Sequence, residues 1–246
     1  MAKRERLDES LIRRGLATSR EEGKRRIMAG EVLVDDWPVT KVGTLVNLEA
    51  PIRLRGRSSP YVSRGGLKLE KAVDDFAVQV RDRVVLDVGA STGGFTDCLL
   101  RRGARLVYAV DVGYGQFDWK LRNDPRIIVF EKKNIRTLRP EELSDAPELA
   151  VVDVSFISLR LVIPQVMKVL ADPGEILALI KPQFEVGKGK VGKGGVVRSG
   201  NEHLRVVGEI REAAETMGLE VGGVMESPLL GPKGNKEFFI HLCKRS

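Results

Sequence analysis

The chain has 246 residues, 42% apolar and 30% charged, and its 41 Lys and Arg outnumber 34 Asp and Glu to give a net charge of +7. That length and composition fit one sizeable domain plus a small second one and exclude a disordered chain. No apolar run reaches the ~18 residues of a membrane helix. The charged start Met1-Ala2-Lys3-Arg4 predicts no signal peptide, and the lone Cys98 and Cys243 make no metal-type or disulfide pattern. A reduced, cytoplasmic protein without a metal is expected, and the positive balance favours an acidic partner, nucleic acid first.

Residues 1–57 read as a small α+β module. Leu7 and Leu11 stand at i and i+4, and the run stops at Gly15, which predicts a helix with a glycine just past its end. Thr18-Ser19-Arg20-Glu21-Glu22 carries a capping-box pattern for a second helix through Met28, closed by Gly30. Short β-type runs follow at 31–36, 44–48 and 51–56. Arg4, Arg6, Arg13, Arg14, Arg20, Lys24, Arg25 and Arg26 all fall on the helical part. Such a face either tracks RNA phosphates or is a solvated surface tied by pairs such as Glu21–Arg25 and Glu22–Arg26. The pattern from Arg6-Leu7-Asp8 through Gly15-Leu16-Ala17-Thr18-Ser19-Arg20 to Gly30-Glu31-Val32-Leu33-Val34-Asp35 resembles the S4 RNA-binding domain. The resemblance implies a helix pair docked on structured RNA, with Arg4, Arg6, Arg20, Lys24 and Arg25 as expected contacts.

Residues 58–66, rich in Ser, Pro and Gly, read as a linker, which places the larger domain at 67–246. Leu69, Ala72, Val73 and Phe76 recur at helical spacing and predict a helix capped near Ser63. Apolar runs at 84–88, 106–110, 127–130, 149–154, 176–180, 219–224 and 238–242 then alternate with helical stretches at 96–102, 161–170 and 201–217. This predicts an α/β, Rossmann-like fold of seven strands, six parallel and the last antiparallel.

Ligands on such sheets bind beyond the carboxyl ends of the strands. The first run ends in Gly89-Ala90-Ser91-Thr92-Gly93-Gly94-Phe95, rich in glycine but matching neither G-x-G-x-x-G nor a phosphate loop. Asp111, 22 residues beyond Gly89 and at the end of the second run, is placed to accept hydrogen bonds from ribose hydroxyls. The pair points to an adenosine-type cofactor, and the missing pyrophosphate turn favours S-adenosylmethionine over NAD. Candidate cofactor contacts are therefore Gly89, Ala90, Ser91, Thr92, Gly93, Gly94, Phe95 and Asp111, with Asn134 and Ile135 after the third run and Asp153 after the fourth.

The stretch Asp87-Val88-Gly89-Ala90-Ser91-Thr92-Gly93-Gly94-Phe95-Thr96 resembles motif I of the FtsJ-like Rossmann methyltransferases. Tyr61-Val62-Ser63-Arg64-Gly65-Gly66-Leu67-Lys68-Leu69 and Gly192-Lys193-Gly194-Gly195-Val196-Val197 are signatures of the TlyA, or haemolysin-A-like, family of ribosomal RNA 2′-O-methyltransferases, which the whole chain resembles. The resemblance implies methyl transfer from S-adenosylmethionine to ribose hydroxyls of cytidines in small- or large-subunit RNA. It also implies a Lys-Asp-Lys-Glu tetrad at Lys68, Asp153, Lys181 and Glu237. In that reading Lys181 is the base acting on the 2′-hydroxyl, Lys68 favours its neutral form and steers the ribose, and Asp153 and Glu237 orient the two ammonium groups. Spacing alone favours a plainer alternative, two buried salt bridges closing the top of the sheet.

The segment 185–195, with Lys188, Lys190 and Lys193 among glycines, reads as a cationic lid, and Arg64, Lys188 and Lys190 join the expected RNA contacts. Phe156 and Phe184 could stack on a base or merely pack, packing being the favoured reading, and His203 and His241 are expected to be structural. A cytosine-C5 enzyme needs a cysteine in a turn, which neither Cys98 nor Cys243 supplies, and Asp153-Val154-Ser155-Phe156 stands where an exocyclic-amine enzyme carries N-P-P-Y. The competing functions are a non-catalytic ribosome assembly factor that binds the cofactor and RNA, and a haemolysin, for which the sequence offers no membrane-inserting segment.

Overall fold

The computed structural model describes residues 4–35, 37–54, 60–187, 191–192, 194–231 and 234–244. Its packing divides the chain into two units, Met1–Ser58 and Ser59–Ser246.

The first unit runs β1 (Arg4–Arg6), α1 (Leu7–Arg13), α2 (Arg20–Met28), β2 (Val32–Val34), β3 (Trp37–Pro38), β4 (Leu45–Asn47) and β5 (Ile52–Leu54). Leu7 and Leu11 of α1 bury against Ile27 of α2, and Val32 and Val46 complete the core. Ser19 caps α2 by accepting from Glu22 N at 3.1 Å, while the Glu22 carboxylate reaches back to Thr18 N at 2.7 Å. Half of the capping box predicted from the sequence is thus formed: Ser19 caps the helix, but Glu22 turns back to Thr18, the residue before the cap, and not to Ser19 N. β1 pairs with β4, and β2 lies between β3 and β5, all antiparallel.

The second unit opens earlier than the sequence predicts. Tyr61, inside the expected linker, is buried in the same core as Leu69 and Val73, and its hydroxyl donates to Glu70 Oε1 at 2.6 Å. α3 (Gly65–Asp75) likewise starts within the segment read as linker. A Cβ on Gly66 would collide with the Tyr61 ring, so the glycine serves close packing there. Ser and Pro mark a turn, and the aromatic ring between them supplies the burial that composition alone conceals.

Beyond α3 come β6 (Val84–Val88), α4 (Gly94–Arg101), β7 (Leu106–Val110), α5 (Trp119–Arg122), β8 (Ile127–Phe130), β9 (Leu149–Val152), α6 (Leu159–Val169), β10 (Gly174–Ile180), α7 (Pro182–Glu185), α8 (Gly200–Thr216), β11 (Leu219–Glu226) and β12 (Phe238–Lys244). They form a seven-stranded sheet in the order β11-β12-β10-β9-β6-β7-β8. β12 runs opposite to the other six strands, because it returns from β11 and slots between β11 and β10. Alternate residues of β6 feed opposite cores: Val84, Leu86 and Val88 pack on one face with α6 and α8 residues, and Val85 on the other with α3 and α4 residues. Each fully buried Leu or Ile in these cores contributes about 1.5–3 kcal/mol. The chain leaves β6 towards β7 and β8, then returns to lay β9 on its other side, so the order reverses between β6 and β9. That reversal opens a crevice at the carboxyl ends of the two strands.

Candidate active site

Two cavities meet at this crevice. One, of about 490 Å³, is lined by Ser91, Asp111, Val112, Asn134, Ile135 and Asp153 among others. The second, of about 270 Å³, brings together Arg64, Lys68, Asp153, Lys181 and Glu237. Gly89, Ser91 and Asp153 line both and form the wall between them. Gly89 has φ +86°, and a Cβ there would strike the Asp153 carbonyl, so only glycine lets the ends of β6 and β9 approach.

In the larger cavity Asp111 Oδ2 accepts from Ser91 N at 2.8 Å and Oδ1 from Gly113 N at 2.6 Å. These bonds fix the carboxylate and leave a lone pair on each oxygen for a diol. Val112 and Ile135 supply apolar wall, and Asn134 is fixed by accepting from Arg136 N at 3.0 Å. A cavity of this volume, lined by the Asp111 and Asp153 carboxylates and by apolar wall at Val112 and Ile135, fits an adenosine-type ligand that carries a positive charge.

The glycine turn divides its residues between the cavities. Gly89 and Ser91 reach the larger one, whereas Ala90, Thr92, Gly94 and Phe95, expected as cofactor contacts, line the tetrad cavity. Gly93 lines neither and turns towards Leu121 and Phe117. The reason is the tightness of the turn: Gly89, Ser91 and Gly93 all have positive φ, so successive residues point to different sides.

Lys68 Nζ on α3 lies 2.6 Å from Glu237 Oε2, just before β12, and both side chains are buried. Lys181, at the end of β10, places Nζ 2.5 Å from Asp153 Oδ1 and donates to Ser155 Oγ at 3.0 Å. The lysine's aligned hydrogen bond therefore goes to Ser155, and its contact with Asp153 is one of charge. The two pairs differ in burial: the Glu237 side chain is 0% exposed and that of Asp153 is 23% exposed. Charges this deep are costly unless paired, and here four of them surround one space.

Three polar residues that the sequence did not single out support this geometry. Ser155 holds Lys181. Asp87, buried at the end of β6, accepts from Thr96 Oγ1 at 2.6 Å through Oδ2, while its Oδ1 has no partner among the described residues. Burial pushes the Asp87 carboxyl up to about 7, with the nearby Asp153 charge adding and the Thr96 bond opposing. Asn235 donates to Gly195 O at 2.9 Å and accepts from Val197 N at 3.0 Å, tying the chain that returns after Lys181 to the approach to Glu237. A carboxylate inside an apolar strand was the available signal for Asp87; the other two look like ordinary loop residues.

Phe156 is not packed as expected. It is 90% exposed with φ +64°, and its ring stands 4.8 Å from that of Phe184 at the rim of the larger cavity. Buried His203 contacts Val197 O at 2.9 Å. His241 Nε2 lies 2.8 Å from Glu175 Oε2 near Cys243, and Arg83 also binds Glu175 at 2.5 Å. Burial raises the Cys98 thiol to about 11, which disfavours it as a nucleophile.

The expected RNA contacts fall into three groups. Arg6 and Arg20 both pair with buried Asp8, at 3.0 and 3.1 Å, and Lys24 pairs with Glu21 at 2.9 Å. Arg4 and Arg25 are exposed with no ion pair among the described residues, so Glu21 pairs with Lys24 and not with Arg25. Arg64 is exposed and lines the tetrad cavity; Lys188 and Lys190 lie outside the described residues.

The FtsJ-like methyltransferase family matches residues 61–244, and the S4 domain matches residues 5–52. The chain is 47% identical over 243 residues to the 16S/23S rRNA (cytidine-2′-O)-methyltransferase TlyA of Mycobacterium tuberculosis, covering 98% of this chain and 91% of that protein. It is 39% identical over 241 residues to hemolysin A of Brachyspira hyodysenteriae, covering 96% and 98% respectively. A solved structure of a hemolysin candidate from Streptococcus thermophilus matches with a TM-score of 0.79 at 43% identity, covering 100% of this chain and 90% of that one. No helix among the described residues is long and apolar enough to cross a membrane. The chain belongs to the FtsJ-like methyltransferase family, carries an S4 domain ahead of its methyltransferase domain, and has TlyA and hemolysin A as full-length relatives.

Proposed function

We propose that this chain transfers a methyl group from S-adenosylmethionine to the ribose 2′-hydroxyl of cytidines in ribosomal RNA, acting in the cytoplasm on one or both ribosomal subunits. The observation that carries the reading is the shared wall: Asp153 belongs at once to the adenosine-sized cavity and to the cavity holding both lysines. S-adenosylmethionine, when bound, would supply a methyl carbon on its sulfonium, to which the ribose oxygen bonds in line as the carbon–sulfur bond breaks and S-adenosylhomocysteine leaves.

The chain's own groups do the rest. Asp111 holds the cofactor ribose, and the walls at Val112 and Ile135 hold its adenine. Lys181 Nζ, once its own ammonium proton has passed to solvent, accepts the proton of the 2′-hydroxyl as the oxygen–carbon bond forms, and Asp153, 2.5 Å away, stabilises the ammonium that results. Lys68, held by Glu237, supplies a fixed positive charge beside the reacting oxygen. Arg64 at the cavity mouth suits an RNA phosphate, and the exposed Phe156 ring suits a base turned out of its stack. Arg4 and Arg25 lead the contacts of the S4 domain.

Labelled S-adenosylmethionine offered with purified ribosomal subunits, naked ribosomal RNA or free nucleosides tests the reading. Label recovered as 2′-O-methylcytidine from a subunit is the expected result. Cofactor binding without transfer to any RNA would replace it with the assembly-factor reading.

A further inference from the structure

The connection from β7 to α5 turns large side chains towards solvent. Val112 is 69%, Tyr114 70% and Trp119 68% exposed. A lysine ammonium stands over each ring, Lys132 Nζ at 4.4 Å from the Tyr114 centroid and Lys120 Nζ at 5.9 Å from that of Trp119.

This display is rigid. Phe117 and Leu121 are buried beneath it, and Asp118 N donates to Thr92 O at 3.2 Å, which ties the connection to the glycine turn. Gly115 N donates to Glu131 Oε1 at 2.8 Å, and Lys132 N to Gly113 O at 2.9 Å. Rings held this way lose little freedom when a ligand covers them. Val112, Gly113 and Gln116 line the larger cavity, so the connection that carries the rings also forms part of the cavity wall.

Flat apolar faces interleaved with cations match a polyanion that carries flat rings. Base–aromatic stacking satisfies the faces and phosphates satisfy the ammonium groups, with little regard to base identity. A protein partner would leave the cations without counter-charges unless it were acidic at each of them; an unpaired nucleic acid strand supplies a charge with every base.

We propose that the β7–α5 connection is a stacking surface for unpaired nucleotides of the substrate RNA flanking the modified one. Tyr114 and Trp119 are its platforms, and Lys120 and Lys132 its phosphate partners. The inference rests on the RNA methyltransferase reading above and gives the methyltransferase domain an RNA contact of its own, separate from the S4 helices and from the tetrad.

The chain has two tryptophans, Trp37 and Trp119, so Trp37→Phe leaves Trp119 as the sole indole reporter. Saturable quenching of Trp119 by a single-stranded oligocytidylate, and less by duplex RNA of equal length, is expected. In parallel, Tyr114→Ala/Trp119→Ala should raise KM for the RNA substrate roughly tenfold or more, with kcat and cofactor affinity within about twofold. Unquenched Trp119 together with an unchanged RNA KM overturns the stacking surface and leaves the methyltransferase reading standing. A double variant that loses only self-association overturns it in favour of a contact between copies. Failure of the parent chain to methylate any RNA overturns the function, and the quenching arm still decides the surface.

Discussion

The two units spend their charges differently. In the S4 unit the ion pairs are mostly local: Arg26 with Glu22 at 2.6 Å, Lys24 with Glu21 at 2.9 Å, Arg13 with Glu5 at 2.5 Å. Pairs of this kind near the surface contribute little to stability and leave cations free to exchange partners for phosphate. In the methyltransferase unit the central pairs are long-range and enclosed; Lys68 and Glu237 are 169 residues apart in sequence and meet only when β12 slots between β10 and β11. A charge paired with its neighbour on a helix belongs to a surface. A charge paired across the whole fold, inside a cavity, is held there at considerable desolvation cost.

The sharpest way to break that contrast is to remove one partner from each class. Glu237→Gln leaves the Lys68 ammonium buried without its counter-charge and should cost about 3–5 kcal/mol in denaturant unfolding, whereas Lys24→Ala should leave the transition where it is. Equal effects would erase the distinction. Next in size is Gly89→Ala. With φ +86° and the Asp153 carbonyl in the path of the new methyl, it forces β6 and β9 apart and should weaken cofactor binding roughly tenfold or more by calorimetry.

Asp87 sharpens the contrast through pH. Its folded carboxyl sits near 7, above an ordinary value of 3.8, so the folded state holds a proton the unfolded state has lost. The stability it contributes is full below about 4 and is lost as pH rises to about 7. Asp87→Asn should flatten the fall in Tm across that window; an unchanged slope would place the titration elsewhere. The smallest effect belongs to the S4 surface. Arg25→Ala should lower the salt dependence of RNA binding by about one counterion, and Lys24→Ala, already paired with Glu21, by less.

Much of the fold was legible in the sequence, and the reasons are local. Strands β6, β7 and β8 fall where their apolar runs predicted. The inner strands β6 and β7 are buried on both faces and so read as near-continuous apolar runs, and the edge strand β8 keeps an apolar run though Ile128 is exposed. α6 begins two residues earlier than expected because Ser158 caps it, accepting from Arg160 N at 3.2 Å. The insertion of β12 beside β10 was not legible, since it depends on where α8 carries the chain. In the site, the resemblance alone suggested a joint role for Lys68, Asp153, Lys181 and Glu237; spacing favoured two salt bridges, and the four residues do pair as Lys68–Glu237 and Lys181–Asp153. Ser155 and Asn235 escaped notice because a serine or asparagine in a loop is commonplace until its partners are known. Phe156 was misread because an aromatic beside an apolar strand usually packs, and only the positive φ of that residue turns its ring outwards.

The central claim is that Lys181 takes the proton of the ribose hydroxyl at a cavity joined through Asp153 to the cofactor. Single-turnover methyl transfer by Lys181→Ala, with cofactor affinity and RNA affinity measured on the same preparation, tests it most directly. The account predicts a loss of roughly 10²–10⁴-fold in the transfer rate with both affinities kept. Transfer at an undiminished rate would contradict it and return the pair with Asp153 to a purely structural role.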